Sequence, residues 1–110
     1  MTETKTYNGW ANYETWCVNL WIGNEEPSYR HWNATAEDVW SDAESNDILT
    51  KSEAARQCLA DMLKIEIEDS RPELEASMWT DLMQAALSEV VWIDIADGLL
   101  ENCDGYEMQS

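Results

Sequence analysis

The chain has 110 residues, 45% of them hydrophobic, with 6 Lys and Arg against 23 Asp and Glu for a formal net charge of −17. Such a length and apolar content suit one domain with a core of its own. The charge excludes direct grip on nucleic acid, which needs Lys and Arg against phosphates. No apolar run approaches the ~18–20 residues of a membrane span. The segment Met1 to Lys5 lacks the basic and apolar regions of a secretory signal, so a cytoplasmic setting is expected.

In chain order, Met1 to Gly9 reads as a flexible arm. Asn12 suits the N-cap of a first helix. Its apolar face is expected at Tyr13, Trp16, Cys17, Leu20 and Trp21, spaced as one helical stripe, and Gly23-Asn24 ends it. Asn24 or Ser28 would cap a second helix, where Glu25, Glu26 and Pro27 are compatible with a first turn. Tyr29, Trp32, Ala36, Val39, Trp40 and Ala43 form its stripe. Thr50-Lys-Ser-Glu53 has the capping-box form and opens a third helix carrying Ala55, Cys58, Leu59, Met62 and Leu63. Ile65 and Ile67 alternate with acids and are read as the end of that helix.

Ser70-Arg-Pro-Glu73 repeats the capping-box form and would open a fourth helix along Leu74, Met78, Leu82 and Ala85 or Ala86. A fifth, starting near Ser88 or Glu89, carries Val91, Trp92, Ile95, Ala96, Leu99, Leu100 and Cys103. Gly98 weakens it by roughly 1 kcal/mol relative to Ala. Asp104 onward is polar, and 105–110 is expected to be a flexible tail. The expected fold is therefore all-α: four or five short helices in one domain spanning 1–110. Of the seven Trp, Trp16, Trp21, Trp32 and Trp40 fall on stripes and are expected in the core. Trp10 would staple the start of the first helix, and an exposed Trp would serve as a contact anchor.

Little in the sequence points to catalysis. The one histidine, His31, sits in a Trp-rich helix, and no nucleophile elbow, phosphate loop or metalloprotease motif occurs. No catalytic residue and no cofactor is expected. Cys17, Cys58 and Cys103 are odd in number and widely spaced, which suggests neither a disulfide framework nor a zinc site. They read as small hydrophobes. Asp42 to Glu53 resembles a calcium loop, with oxygen side chains at its positions 1, 3, 5, 9 and 12. However, Asp47 stands where the sharp turn calls for Gly. A calcium or small-ligand site there is the alternative reading, and no metal ligand is assigned.

The acids carry the main signal. From Glu66 to Ser110 there are 12 acidic residues and one base, Arg71. Asp94, Asp97, Glu101 and Asp104 recur at helical spacing opposite the apolar stripe of the fifth helix. Like charges so placed oppose helix formation by a few tenths of a kcal/mol per pair. Glu37, Asp38, Asp42 and Glu44 cluster on the second helix, and Glu66, Glu68, Asp69, Glu73 and Glu75 follow on the third and fourth. Ordinary surfaces mix both signs. Carboxylate rows approximate the field of duplex DNA, about one charge per 1.7 Å of axis. Glu66, Glu68, Asp69, Asp94, Asp97, Glu101 and Asp104 are therefore the expected contacts to a basic protein, with solubility alone as the rival explanation.

The stretch Tyr7 to Glu26 resembles a family of small phage and plasmid proteins. They share an Asn-Tyr-Glu-Thr-Trp core, here Asn12 to Trp16, followed by Leu20-Trp21 and an acidic step at Asn24-Glu25-Glu26. Val91-Trp92-Ile93-Asp94-Ile95-Ala96 is similar to that family's C-terminal helix. The resemblance carries no functional residues across, but it implies a mobile-element setting. In such settings small acidic proteins resemble antirestriction and anti-CRISPR inhibitors. The expectation is thus a non-catalytic inhibitor in the host cytoplasm. It would bind a basic, nucleic-acid-binding host protein, and a homodimer is possible on this reading.

Overall fold

The computed structural model describes residues 7–73 and 75–109, which form an all-α domain of five helices with no strand among them. Capping chemistry decides where most helices begin. Asn12 keeps an extended backbone, and its Oδ1 accepts from the Thr15 N–H at 2.9 Å, starting α1, Tyr13–Asn24. Glu25, rather than Asn24 or Ser28, takes the extended position before α2, Glu26–Asp42. Pro27 then falls in the first turn, where its missing N–H leaves no helical bond unmade. The Thr50/Glu53 box forms as expected at the head of α3, Lys51–Asp69, with bonds of 2.9 and 3.1 Å. Ile65 and Ile67 lie inside α3.

The second capping-box form does the opposite of what its letters suggest. Ser70 closes α3: its N–H donates to the Glu66 and Ile67 carbonyls and its hydroxyl to Ile67. The fourth helix, α4, waits until Met78–Ser88, where Ser77 Oγ accepts from the Thr80 N–H at 3.3 Å. Leu74, expected on its stripe, lies outside the described residues. The fifth, α5, spans Trp92–Leu100, with Val91 rather than Ser88 or Glu89 before it.

The core sits where α3 and α5 face each other. Ala55, Leu59 and Leu63 of α3 meet Ile95, Ala96 and Leu100 of α5, all fully buried, with Trp32, Ala36 and Val39 of α2 laid across them. Each fully buried Leu or Ile contributes roughly 1.5–3 kcal/mol. Gly98 has a reason as well. A Cβ there would come within 3.2 Å of the Trp10 ring, so the glycine makes room for the indole that the Tyr7–Trp10 turn lays on α5.

Other expectations fail as well: on the stripes of α2 and α3, Tyr29, Cys58 and Met62 are exposed. The stripe Tyr13, Trp16, Cys17, Leu20, Trp21 does not face the core. Thr15 and Ile22 are buried and Val18 packs beside them, while Trp21 is 61% exposed. Because α1 is apolar on both sides, periodicity alone cannot choose between them. Hydrogen bonds do: Thr15 Oγ1 accepts from the Val91 N–H at 2.9 Å and Asn12 Nδ2 donates to the Glu89 carbonyl at 2.7 Å, pinning the other face inward.

The tail is also not free. Gly105 turns the chain with φ +87°, Trp40 Nε1 donates to the Asp104 carbonyl, and the Glu107 N–H donates to the buried Ser52 hydroxyl. Of the expected arm, residues 1–6 lie outside the described residues, and Tyr7 closes a turn against Trp10. No helix among the described residues is long and apolar enough to cross a membrane.

Candidate protein-binding surface

The carboxylate row expected on α5 does not reach solvent. Asp94 and Asp97 are each only 2% exposed, which corrects their assignment as surface contacts. The tail and α3 enclose them. Arg56 of α3 donates from Nε to Asp97 Oδ1 at 3.3 Å and to the Tyr106 hydroxyl at 2.7 Å. Tyr106 itself donates to Asp97 at 2.5 Å, and the Gln109 N–H adds a bond of 3.1 Å. Gln109 Nε2 donates to Asp94 at 2.9 Å. Three donors on the Asp97 carboxylate satisfy a charge that would be costly to bury alone. Burial and the bond to Asp97 push the Tyr106 phenol well above its ordinary 10.0. Asp94 and Asp97 thus hold the domain together.

The remaining expected contacts are split between two places. Glu66 and Asp69 are exposed at the end of α3, with Glu68 half-buried beside them. Glu101 and Asp104 are exposed beyond the end of α5. The α2 acids Glu37, Asp38 and Asp42 are exposed too, and no ion pair involves them among the described residues. Arg56 is engaged with Asp97 and Arg30 with Glu26, while Lys51 lies 4.3 Å over the Trp40 ring. None of the five helices has a basic residue in its last turn. The carbonyl end of a helix already carries a partial negative charge of roughly half a unit. At the end of α3 this adds to Glu66, Glu68 and Asp69, with Arg71 just past the helix lining the same surface hollow as Glu68 and Asp69.

That end of α3 meets the start of α2 around an apolar cleft of about 550 Å³. Val18, Ile22, Trp32 and Ile67 line its base, and exposed Trp21 stands at its wall. Glu25 and Glu66 sit on the rim, with Glu66 paired to His31 Nε2 at 2.8 Å, both side chains about half exposed. The contact potential of Glu25 and Trp21 was hidden in the sequence because Glu25 was read as a first-turn residue of the second helix and Trp21 as part of a core stripe.

Other chemistry finds less support. In the calcium-like loop, Asn46 Oδ1 accepts from the Ile48 and Leu49 N–H groups, Glu53 accepts from the Thr50 N–H and Thr50 Oγ1 from the Glu53 N–H, so three of its five oxygen positions face backbone amides. No group of three or more His, Cys, Asp or Glu among the described residues is placed to hold a metal ion. Cys58 is exposed, and desolvation raises the pKa of half-buried Cys103.

Fold and surface together define a small all-α domain with an internal Arg–Asp–Tyr lock and an acidic exterior. The chain belongs to DUF7249, a family of unknown function, which it matches over residues 3–97. No curated protein and no solved structure matches it.

Proposed function

We propose that this chain is a non-catalytic inhibitor from a phage or other mobile element. It binds a basic, nucleic-acid-binding host defence protein, such as a CRISPR effector or a restriction enzyme, through a surface that substitutes for DNA phosphates. One observation carries the reading: Arg30, Arg56 and Lys51 are engaged within the chain, while Glu37, Asp38, Asp42, Glu66 and Asp69 are exposed. A predominantly acidic exterior, relieved locally by exposed Lys64 and Arg71, speeds encounter with a basic groove and makes it salt-dependent. The contact residues differ from those expected on sequence grounds. Glu25, Glu66, Glu68 and Asp69 at the α2–α3 end replace Asp94 and Asp97, and Glu101 and Asp104 form a separate, smaller patch.

The test is affinity capture from a bacterial host lysate at low and high salt, read by mass spectrometry. The wild-type chain is compared with a Glu25→Lys/Glu66→Lys/Asp69→Lys variant whose helicity is checked by circular dichroism. The expected result is a basic nucleic-acid-binding protein retained by the wild type at low salt and lost with the variant. Equal retention by a folded variant refutes the assignment.

A further inference from the structure

The helices α1 and α4 each present an uncovered apolar face, and the two faces match. With about 100° per residue, Ala85, Met78, Leu82, Ala86 and Trp79 share one ~120° arc of α4. All five are exposed, and no residue of α4 is buried. The arc of α1 carries Tyr13, Leu20 and Trp21, at 52%, 36% and 61% exposure. The two helices are nearly equal in length, 12 and 11 residues. In a chain of net charge −17, Glu14 and Asp81 are the only charged residues on them, Asp81 off the α4 arc and Glu14 about 20° past Trp21 at the edge of the α1 arc. A helix shorter than ~12–15 residues is marginal in water without tertiary packing, so α4 calls for a cover. The outer face of α1 has no cover of its own among the described residues, since Thr15 and Ile22 face inward.

We propose that the cover is a second copy of this chain, with α4 of each copy lying along the outer face of α1 in the other. A reciprocal exchange closes with two-fold symmetry, so no uncovered face is left to propagate. The arcs themselves carry no carboxylate, which lets two acidic copies meet along them, while Glu25 and Glu66 stand beside Trp21 at the edge of the α1 arc. The two Trp21 and two Trp79 rings alone would remove on the order of 500 Å² from water. The other arc residues extend this toward the ~1,600 Å² of a stable interface.

Sedimentation equilibrium of the full chain across protein concentration and salt tests the pairing. The expected mass is twice 12.7 kDa, with the dimer tightening several-fold from low to high salt as repulsion is screened. That sign is opposite to the one expected for a basic partner, so the two readings fail separately. Trp79→Glu and Trp21→Glu should each raise the dissociation constant at least tenfold while circular dichroism remains helical. Should either variant unfold, Leu82→Cys in a Cys58→Ser background gives an independent readout. Under mild oxidation it should form an intermolecular disulfide with Cys17, abolished by Cys17→Ser. A mass of 12.7 kDa at every concentration and salt overturns the pairing. A dimer joined only through Cys17–Cys17 overturns the exchange of α4.

Discussion

Asp94 and Asp97 on α5, and Glu66 and Asp69 on α3, are pairs of carboxylates at the same three-residue spacing. One pair is sealed inside the domain and the other stands in water. What separates them is the supply of donors from distant chain. Arg56 lies 41 residues before Asp97, and Gln109 lies 12 residues after it. At the end of α3 the half-exposed His31 faces Glu66, and exposed Arg71 lies beside Glu68 and Asp69. The same acid is therefore structural where the fold seals a guanidinium, a phenol and an amide around it, and available for contact where its partners stand in water.

Asp97→Ala should break this contrast most severely. It strands Arg56 and two further donors, the Tyr106 hydroxyl and the Gln109 N–H, and removing one partner of a buried pair costs about 3–5 kcal/mol, measurable by urea denaturation. Asp69→Ala, at the exposed site, should stay within ~0.5 kcal/mol. Comparable losses would dissolve the distinction. Tyr106→Phe comes next. It removes the hydroxyl between Arg56 and Asp97, and a buried hydrogen bond to charged groups is worth about 1.5–3 kcal/mol.

The pH dependence sharpens the same contrast. Tyr106 has a folded-state pKa raised above 10.0. Its contribution is therefore complete below that ordinary value and is lost as pH rises through the folded one. Stability should fall above about pH 10, and Tyr106→Phe should flatten that fall. Glu53 is the mirror case and the smallest effect. The Thr50 backbone and side-chain hydrogen bonds hold its carboxyl below 4.5. The contribution of the capping box is thus present above that value and is lost as pH falls through the folded one. Thr50→Ala should reduce this acid sensitivity in a thermal melt.

What the sequence disclosed tracks how local the physics is. The Asn12 cap and the Thr50/Glu53 box involve residues three apart, and both formed as read. The stripes of α2, α3 and α5 put Trp32, Leu59 and Ile95 in the core because those helices have one apolar side. The face of α1 was read backwards because it has two such sides, and a hydrogen bond across 76 residues, from Val91 to Thr15, settles the matter. Ser70 and Ser77 compete for the same role, and the Ser70 bonds to the end of α3 decide between them. For the candidate surface, the exposure of Asp69 was legible from its polar neighbours and that of Glu101 and Asp104 from their helical spacing, whereas Glu66 stands between Ile65 and Ile67. The burial of Asp94 and Asp97 was not, although a signal existed. Both sit within Trp-Ile-Asp-Ile-Ala-Asp-Gly-Leu-Leu, a segment too apolar to leave any side wholly to water.

The central claim is that the exterior carboxylates substitute for nucleic-acid phosphates. The most direct measurement is competition: duplex DNA is titrated against the complex of this chain with the basic protein it captures, at fixed salt. DNA should displace the chain, and the chain should displace DNA, with mutually exclusive occupancy that weakens steeply as salt rises. A ternary complex with DNA, or binding indifferent to salt, would contradict the account.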